Sequence, residues 1–169
     1  MDIVSEDKIH SPLIRELVDW YDGAKSADKG PSRSDFRPHK FSPAVIPCLF
    51  KVQVTRQPFR VLFRAVGERV EESFGFPMTG KYLDEVNIPQ RNELLDWYRA
   101  LLDRSSPIYS KSISTYEGQK LRYEGALFPL GAADDETRFF VGIEHFTDTP
   151  SWNSGVRNRS YGAPHKASD

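Results

Sequence analysis

Arg64 is the residue whose neighbours most invite chemistry. It lies in the run Phe59 to Val66, beside Val61, Leu62 and Phe63 and just ahead of Gly67. An arginine turned inward from such a strand needs an acidic partner or a bound anion, because a lone buried charge is costly. Two outcomes are open. One is an internal ion pair with Asp84, Glu85 or a loop backbone group. The other is a small anionic or carboxylate-bearing ligand, to which a guanidinium offers paired donors. For the second, strand parity puts Arg64 on one face with Leu62 and Val66, and helical spacing puts Trp97 and Tyr98 on the apolar side of a later helix. The candidate ligand site is therefore Arg64, Tyr82, Trp97, Tyr98 and Tyr123, with the arginine supplying charge and the aromatics the walls. Arg33, within Pro31-Ser32-Arg33-Ser34-Asp35-Phe36, has the same ambiguity, and a loop anchor with Phe36 packed beneath it is the plainer reading.

Other chemistry finds little support. The chain has no Gly-x-Ser-x-Gly, no phosphate-loop glycines and no paired His-Glu motif. Glu71-Glu72 and Asp134-Asp135 are adjacent in sequence and read as solvated faces. His10, His39, His145 and His165 stand apart, and no Cys/His/Asp cluster has ligand spacing, so no metal is expected. Cys48 is the single cysteine. It excludes an intrachain disulfide, fits a reducing compartment and reads as an inert buried thiol. No catalysis is expected.

The elements that would position Arg64 are legible. Ser11-Pro12 reads as a helix cap, followed by Leu13, Ile14, Leu17, Val18, Trp20 and Tyr21 in a wide apolar stripe. Ala24 to Lys40 is a polar connection. Leu49 to Val54 and Phe59 to Val66 form a hairpin around Arg56-Gln57-Pro58. Short helical pieces follow, near Val70 and Phe74 and over Tyr82 to Val86, and then a longer helix, Gln90 to Arg104. Ile108 to Tyr116, Leu121 to Leu130 and Arg138 to Phe146 are strands, the first two joined at Glu117-Gly118-Gln119. The expected division is 1–40 for the first helix and connection, 41–147 for the domain, and 148–169 for a flexible tail.

The totals agree with a small folded protein. The chain has 169 residues, 38% of them hydrophobic and 28% charged, with a net charge of −1. That balance draws it neither to nucleic acid nor to an anionic membrane, and Arg157, Arg159 and Lys166 read as solvated tail charges. The charges within the first twenty residues exclude a signal-peptide core, and no apolar run would span a bilayer. A cytoplasmic location is expected.

Several short motifs occur in a telling order: Trp20 at a helix end, Pro31-Ser32-Arg33-Ser34-Asp35-Phe36, Arg64-Ala65-Val66-Gly67, and Thr79-Gly80-Lys81-Tyr82-Leu83-Asp84-Glu85. In this order and spacing, over roughly residues 8 to 146, the chain resembles the single-domain PAS family common in alphaproteobacteria. The resemblance implies an α+β fold: a five-stranded antiparallel sheet of order 2-1-5-4-3 with helices on one face, here with an additional N-terminal helix. It implies a sensory or regulatory role in signalling, through a small ligand or through protein contacts, often without an attached output domain. Haem-binding PAS domains carry a histidine on the helix before the last three strands, and photosensory ones an Asn-Cys motif. Gln90 to Arg104 has no histidine and Cys48 follows Pro47, so no cofactor is expected. A leading helix in such proteins packs on the open sheet face or across a dimer, which makes a homodimer burying Leu13, Leu17 and Trp20 the expected assembly. The alternative is a small α+β cone fold of the ketosteroid-isomerase type, an enzyme or ligand carrier. Two strands before the main helix favour PAS.

Overall fold

A computed structural model describes residues 1–88, 91–116 and 119–147. The chain begins with a short strand, β1 (Asp2–Val4), followed by α1 (Pro12–Ala24). Ser11 caps α1 as expected, its hydroxyl accepting from Ile14 N at 3.2 Å. The hairpin is β2 (Leu49–Thr55) and β3 (Arg60–Val66). Then come α2 (Glu68–Phe74), a single 3-10 turn at Leu83–Glu85, and α3 (Arg91–Leu101). β4 (Ile108–Tyr116), β5 (Gln119–Leu130) and β6 (Thr137–Phe146) form the closing meander. α2 stops at Gly75, whose φ of 80° is a left-handed cap.

All pairings are antiparallel, and the order is β1-β4-β5-β6-β2-β3. Without β1 this is the expected order of hairpin and meander. β1 is an addition: Asp2, Ile3 and Val4 pair with Lys111, Ser110 and Tyr109 at the edge of β4. The 1–40 segment thus contributes a strand and a helix to the same fold. The tail, Gln90 and the Glu117-Gly118 turn lie outside the described residues.

Each face of the sheet carries its own apolar layer. On one face Val52, Phe63, Met78, Leu83, Leu101 and Phe140 join the sheet to α2, the Leu83–Glu85 turn and α3. On the other, Ile14, Leu17, Val18 and Tyr21 of α1 pack with Phe128, Val141 and Ile143. We call these the inner and outer faces. Two arginines fix the end of α3 to the β5–β6 loop. Arg138, fully buried, donates to the carbonyls of Ala132 and Arg104, and Arg56 donates to those of Leu102, Ala133 and Asp135. Cations suit the exposed carbonyls at a helix C-terminus.

The start of α1 is held by a polar latch. Glu124, 4% exposed, accepts from His10 N at 2.8 Å and Ser11 N at 2.7 Å and pairs with Lys111 at 3.1 Å. Ser11 Oγ meets His145 Nδ1 at 2.7 Å. Burial pushes the Glu124 carboxyl up, but the two backbone donors and Lys111 more than reverse this and leave it below the ordinary 4.5. Burial also lowers His145 from 6.5, with Glu124 opposing. Both groups therefore bind protons more tightly in the unfolded chain, so stability falls on acidification. The His145 contribution is lost as pH drops below 6.5, and that of Glu124 as it drops below 4.5. Glu124→Gln keeps one acceptor and should cost about 1–2 kcal/mol at pH 7. In melts from pH 7 to pH 3, the gap to wild type should narrow below 4.5. A constant gap would mean that the latch does not titrate.

Candidate functional site

The inner face carries three aligned rows across β4, β5 and β6: Ile108-Leu127-Gly142, Ser110-Gly125-Glu144 and Ser112-Tyr123-Phe146. The first row is apolar and tight. The Phe50 ring lies on Gly142, where a Cβ would come within 2.0 Å of it. The middle row places a carboxylate at its β6 end, next to a glycine with a serine beyond it, on the helix side of the sheet. Burial alone pushes Glu144 from 4.5 up to about 7.

Two tyrosines feel its charge. Tyr98, 3% exposed on α3, is raised well above its usual range by burial first and by the Glu144 charge second. Tyr123, half-buried on β5, is raised by the same two causes in the same order. Ser112 Oγ is close enough to Tyr123 to ease its ionisation, yet stands outside hydrogen-bond geometry and finds no partner. The Cys48 thiol is raised, mainly by burial, with Arg69 opposing and Glu144 adding. This matches the inert buried thiol expected for Cys48.

Of the five candidate ligand residues, Tyr98 and Tyr123 feel the Glu144 charge. Trp97 stands beside Tyr98, ring edge to face at 5.2 Å, at the partly buried rim of the inner layer. Tyr82 lies at the β3 edge, bridged to Leu62, with the Arg60 guanidinium 3.5 Å from its ring centre. Arg60 also holds Asp84 at 3.0 Å and Glu85 at 2.6 Å. The ion pair considered for Arg64 thus forms four residues earlier.

Arg64 itself requires a correction: it is exposed and does not face the helices. Lys51 pairs with Ala65 and Val52 with Phe63, so Arg64 is the extra residue of a bulge. The bulge shifts strand parity. Val66 packs into the inner layer and Arg64 swings to solvent.

Glu144 escaped the sequence reading. Its signal was a charged residue two and four positions from Gly142 and Phe140, on the inward parity of the last strand. Two grooves on the described surface, of about 430 and 410 Å³, are open to solvent. One runs beside Asp2, Lys111 and Arg122 and reaches Ser112 and Tyr123, with no helix residue in its lining; the other lies between the end of α1 and Ser105–Pro107.

The three residues expected at a dimer contact lie in the outer layer. Leu17 is fully buried, and Leu13 and Trp20 pack partly buried against the same cluster. Trp20 meets Phe36 at 5.4 Å and Phe41 at 5.8 Å, both ring edge to face. Arg33 lies over Phe139, 3.8 Å from its ring centre.

The family profile described as "PAS domain" matches residues 9–144, and the chain belongs to that family. The fold is the α+β PAS arrangement, typical of sensory and signalling domains, with six strands among the described residues. Among solved structures, the chain is similar to the PAS domain of BvgS from Bordetella pertussis, at 13% identity and a TM-score of 0.46, over 63% of this chain and 81% of that one. It is also similar to a variant of the fungal photoreceptor Vivid, at 12% identity and a TM-score of 0.42, over 81% of this chain and 97% of that one. A third is RsLOV, at 13% identity and 0.39, over 66% and 68%. No curated protein matches the chain in sequence. Among the described residues, no group of three metal-ligating side chains gathers, and no helix is long and apolar enough to cross a membrane.

Proposed function

We propose that this PAS domain is a non-catalytic signalling module that acts through protein contacts. The observation that carries this is the filled inner face. Phe50, Met78, Leu83, Leu101 and Phe140 occupy the space between helices and sheet, and Phe50 covers Gly142. The solvent-facing position of Arg64 removes the charge on which the anionic-ligand site rested. The resemblance to single-domain PAS proteins supports contact in trans.

A second reading rests on Glu144. Its half-buried carboxyl gains no charge partner, and a small donor-bearing molecule seated beside Tyr98 and Tyr123 would satisfy it. Native mass spectrometry of the purified protein, with its absorbance spectrum, separates the two. The protein-contact reading expects the bare chain mass and no visible band. A stoichiometric adduct, or a haem or flavin band, overturns it in favour of a ligand at Glu144.

A further inference from the structure

The outer layer stops short of β3. Its cluster includes Leu49 of β2 and Phe139, Val141 and Ile143 of β6, but no β3 side chain. On this uncovered margin three cations converge from separate segments. Arg33 comes from the 31–36 loop and lies over the Phe139 ring. Lys51 comes from β2, where it lies opposite Val141 on one side and Ala65 on the other. Arg64 is presented by the bulge of β3. Burial, and then the charges of Arg33 and Arg64, hold the Lys51 ammonium below its ordinary value. Crowding like charges is unfavourable unless an anion joins them.

Several other surface cations are compensated. Arg15, Lys25, Arg60, Arg69, Arg99 and Lys111 each meet a carboxylate. Among the described residues, Arg33, Lys51 and Arg64 have no ion pair. The whole chain carries a net charge of −1, so the patch is a local imbalance and not a share of a global basic field.

We infer that this margin docks an acidic segment of a partner protein, with carboxylates along one stretch meeting Arg33, Lys51 and Arg64. The inference rests on the protein-contact reading and names the chemistry of the partner. Arginine forks suit carboxylates. The half-buried Leu62 and Gln53, paired across β3 and β2 on the same face, offer apolar and amide contact to a peptide. Guanidinium groups also pair with phosphate, so an oligonucleotide and inorganic phosphate are the competitors that separate a carboxylate partner from a phosphate one.

The test uses the full chain and dye-labelled poly-L-glutamate, followed by fluorescence anisotropy at low salt, with a single-stranded oligonucleotide and inorganic phosphate as competitors. Wild type should bind the polyglutamate, and added salt should weaken binding. Arg64→Glu and Lys51→Glu should each weaken it by roughly tenfold. Lys8→Glu, an exposed control just after β1 at the opposite edge of the sheet, should change it less than about twofold. Arg64 is exposed, so its variant serves alone if Lys51→Glu melts early. Equal losses in all three variants, no binding, or displacement by the oligonucleotide at lower concentration than by free polyglutamate would each overturn the inference. A bare chain that ignores polyglutamate sinks the acidic partner only. A small-molecule adduct with the patch still active sinks the protein-contact reading only.

Discussion

Glu144→Gln is expected to stabilise the protein by about 3 kcal/mol at pH 8 and to change it little at pH 4.5. Folding raises the Glu144 pKa from 4.5 to about 7 through burial. At about 1.4 kcal/mol for each tenfold in acidity, that rise corresponds to the figure stated. The sign follows from proton binding. Between 4.5 and about 7 the folded chain holds a proton on Glu144 that the unfolded chain has released. Stability from this group is therefore complete below 4.5, falls as pH rises, and levels off above about 7. Glutamine matches the shape of the protonated acid and never ionises. His145 and Glu124 pull the other way on the acid side, so the quantity to follow is the difference between variant and wild type. Urea unfolding at several pH values measures it. A difference that does not grow between pH 5 and pH 8 would show that Glu144 reaches water or a partner in solution.

The course of the backbone was largely legible, because alternation and breakers agree along this chain. Phe59–Val66 was read where Arg60–Val66 stands, and Gln90–Arg104 where α3 spans Arg91–Leu101. The three misses have physical causes. β1 has only three residues, too few for any period to show, and it exists through its ladder with β4. The bulge at Arg64 leaves no mark in residue types, since Arg, Ala and Val suit either parity; only pairing with Lys51 and Val52 reveals it. Glu144 was readable in principle, because Phe140 and Gly142 fix its face. A lone acid near a strand end is usually solvated, however, and the tyrosines that feel this one's charge come from distant segments. Tyr98 and Tyr123 share the inner face because each lies on the apolar side of its own element; Tyr82 lies in an irregular stretch where no such rule applies.

Leu17→Ala should cost roughly 2–5 kcal/mol, as expected for a leucine truncated in a closed core. The side chain is fully buried between α1 and the outer face of the sheet, beside residues of α1 and of the last two strands. Leu13 and Trp20 only partly join that layer, and Leu13→Ala should cost less. If α1 serves the fold within one chain, the loss is the same at every protein concentration. If the same stripe is also the contact of a homodimer, the wild-type unfolding midpoint rises with concentration, because association stabilises the folded state by mass action. Truncation at Leu13, the less buried position, would then weaken that rise. A midpoint independent of concentration, with light scattering at the monomer mass, would assign the whole apolar stripe to the intramolecular layer. The contacts of Leu17 with the sheet require the first result whether or not the second is found.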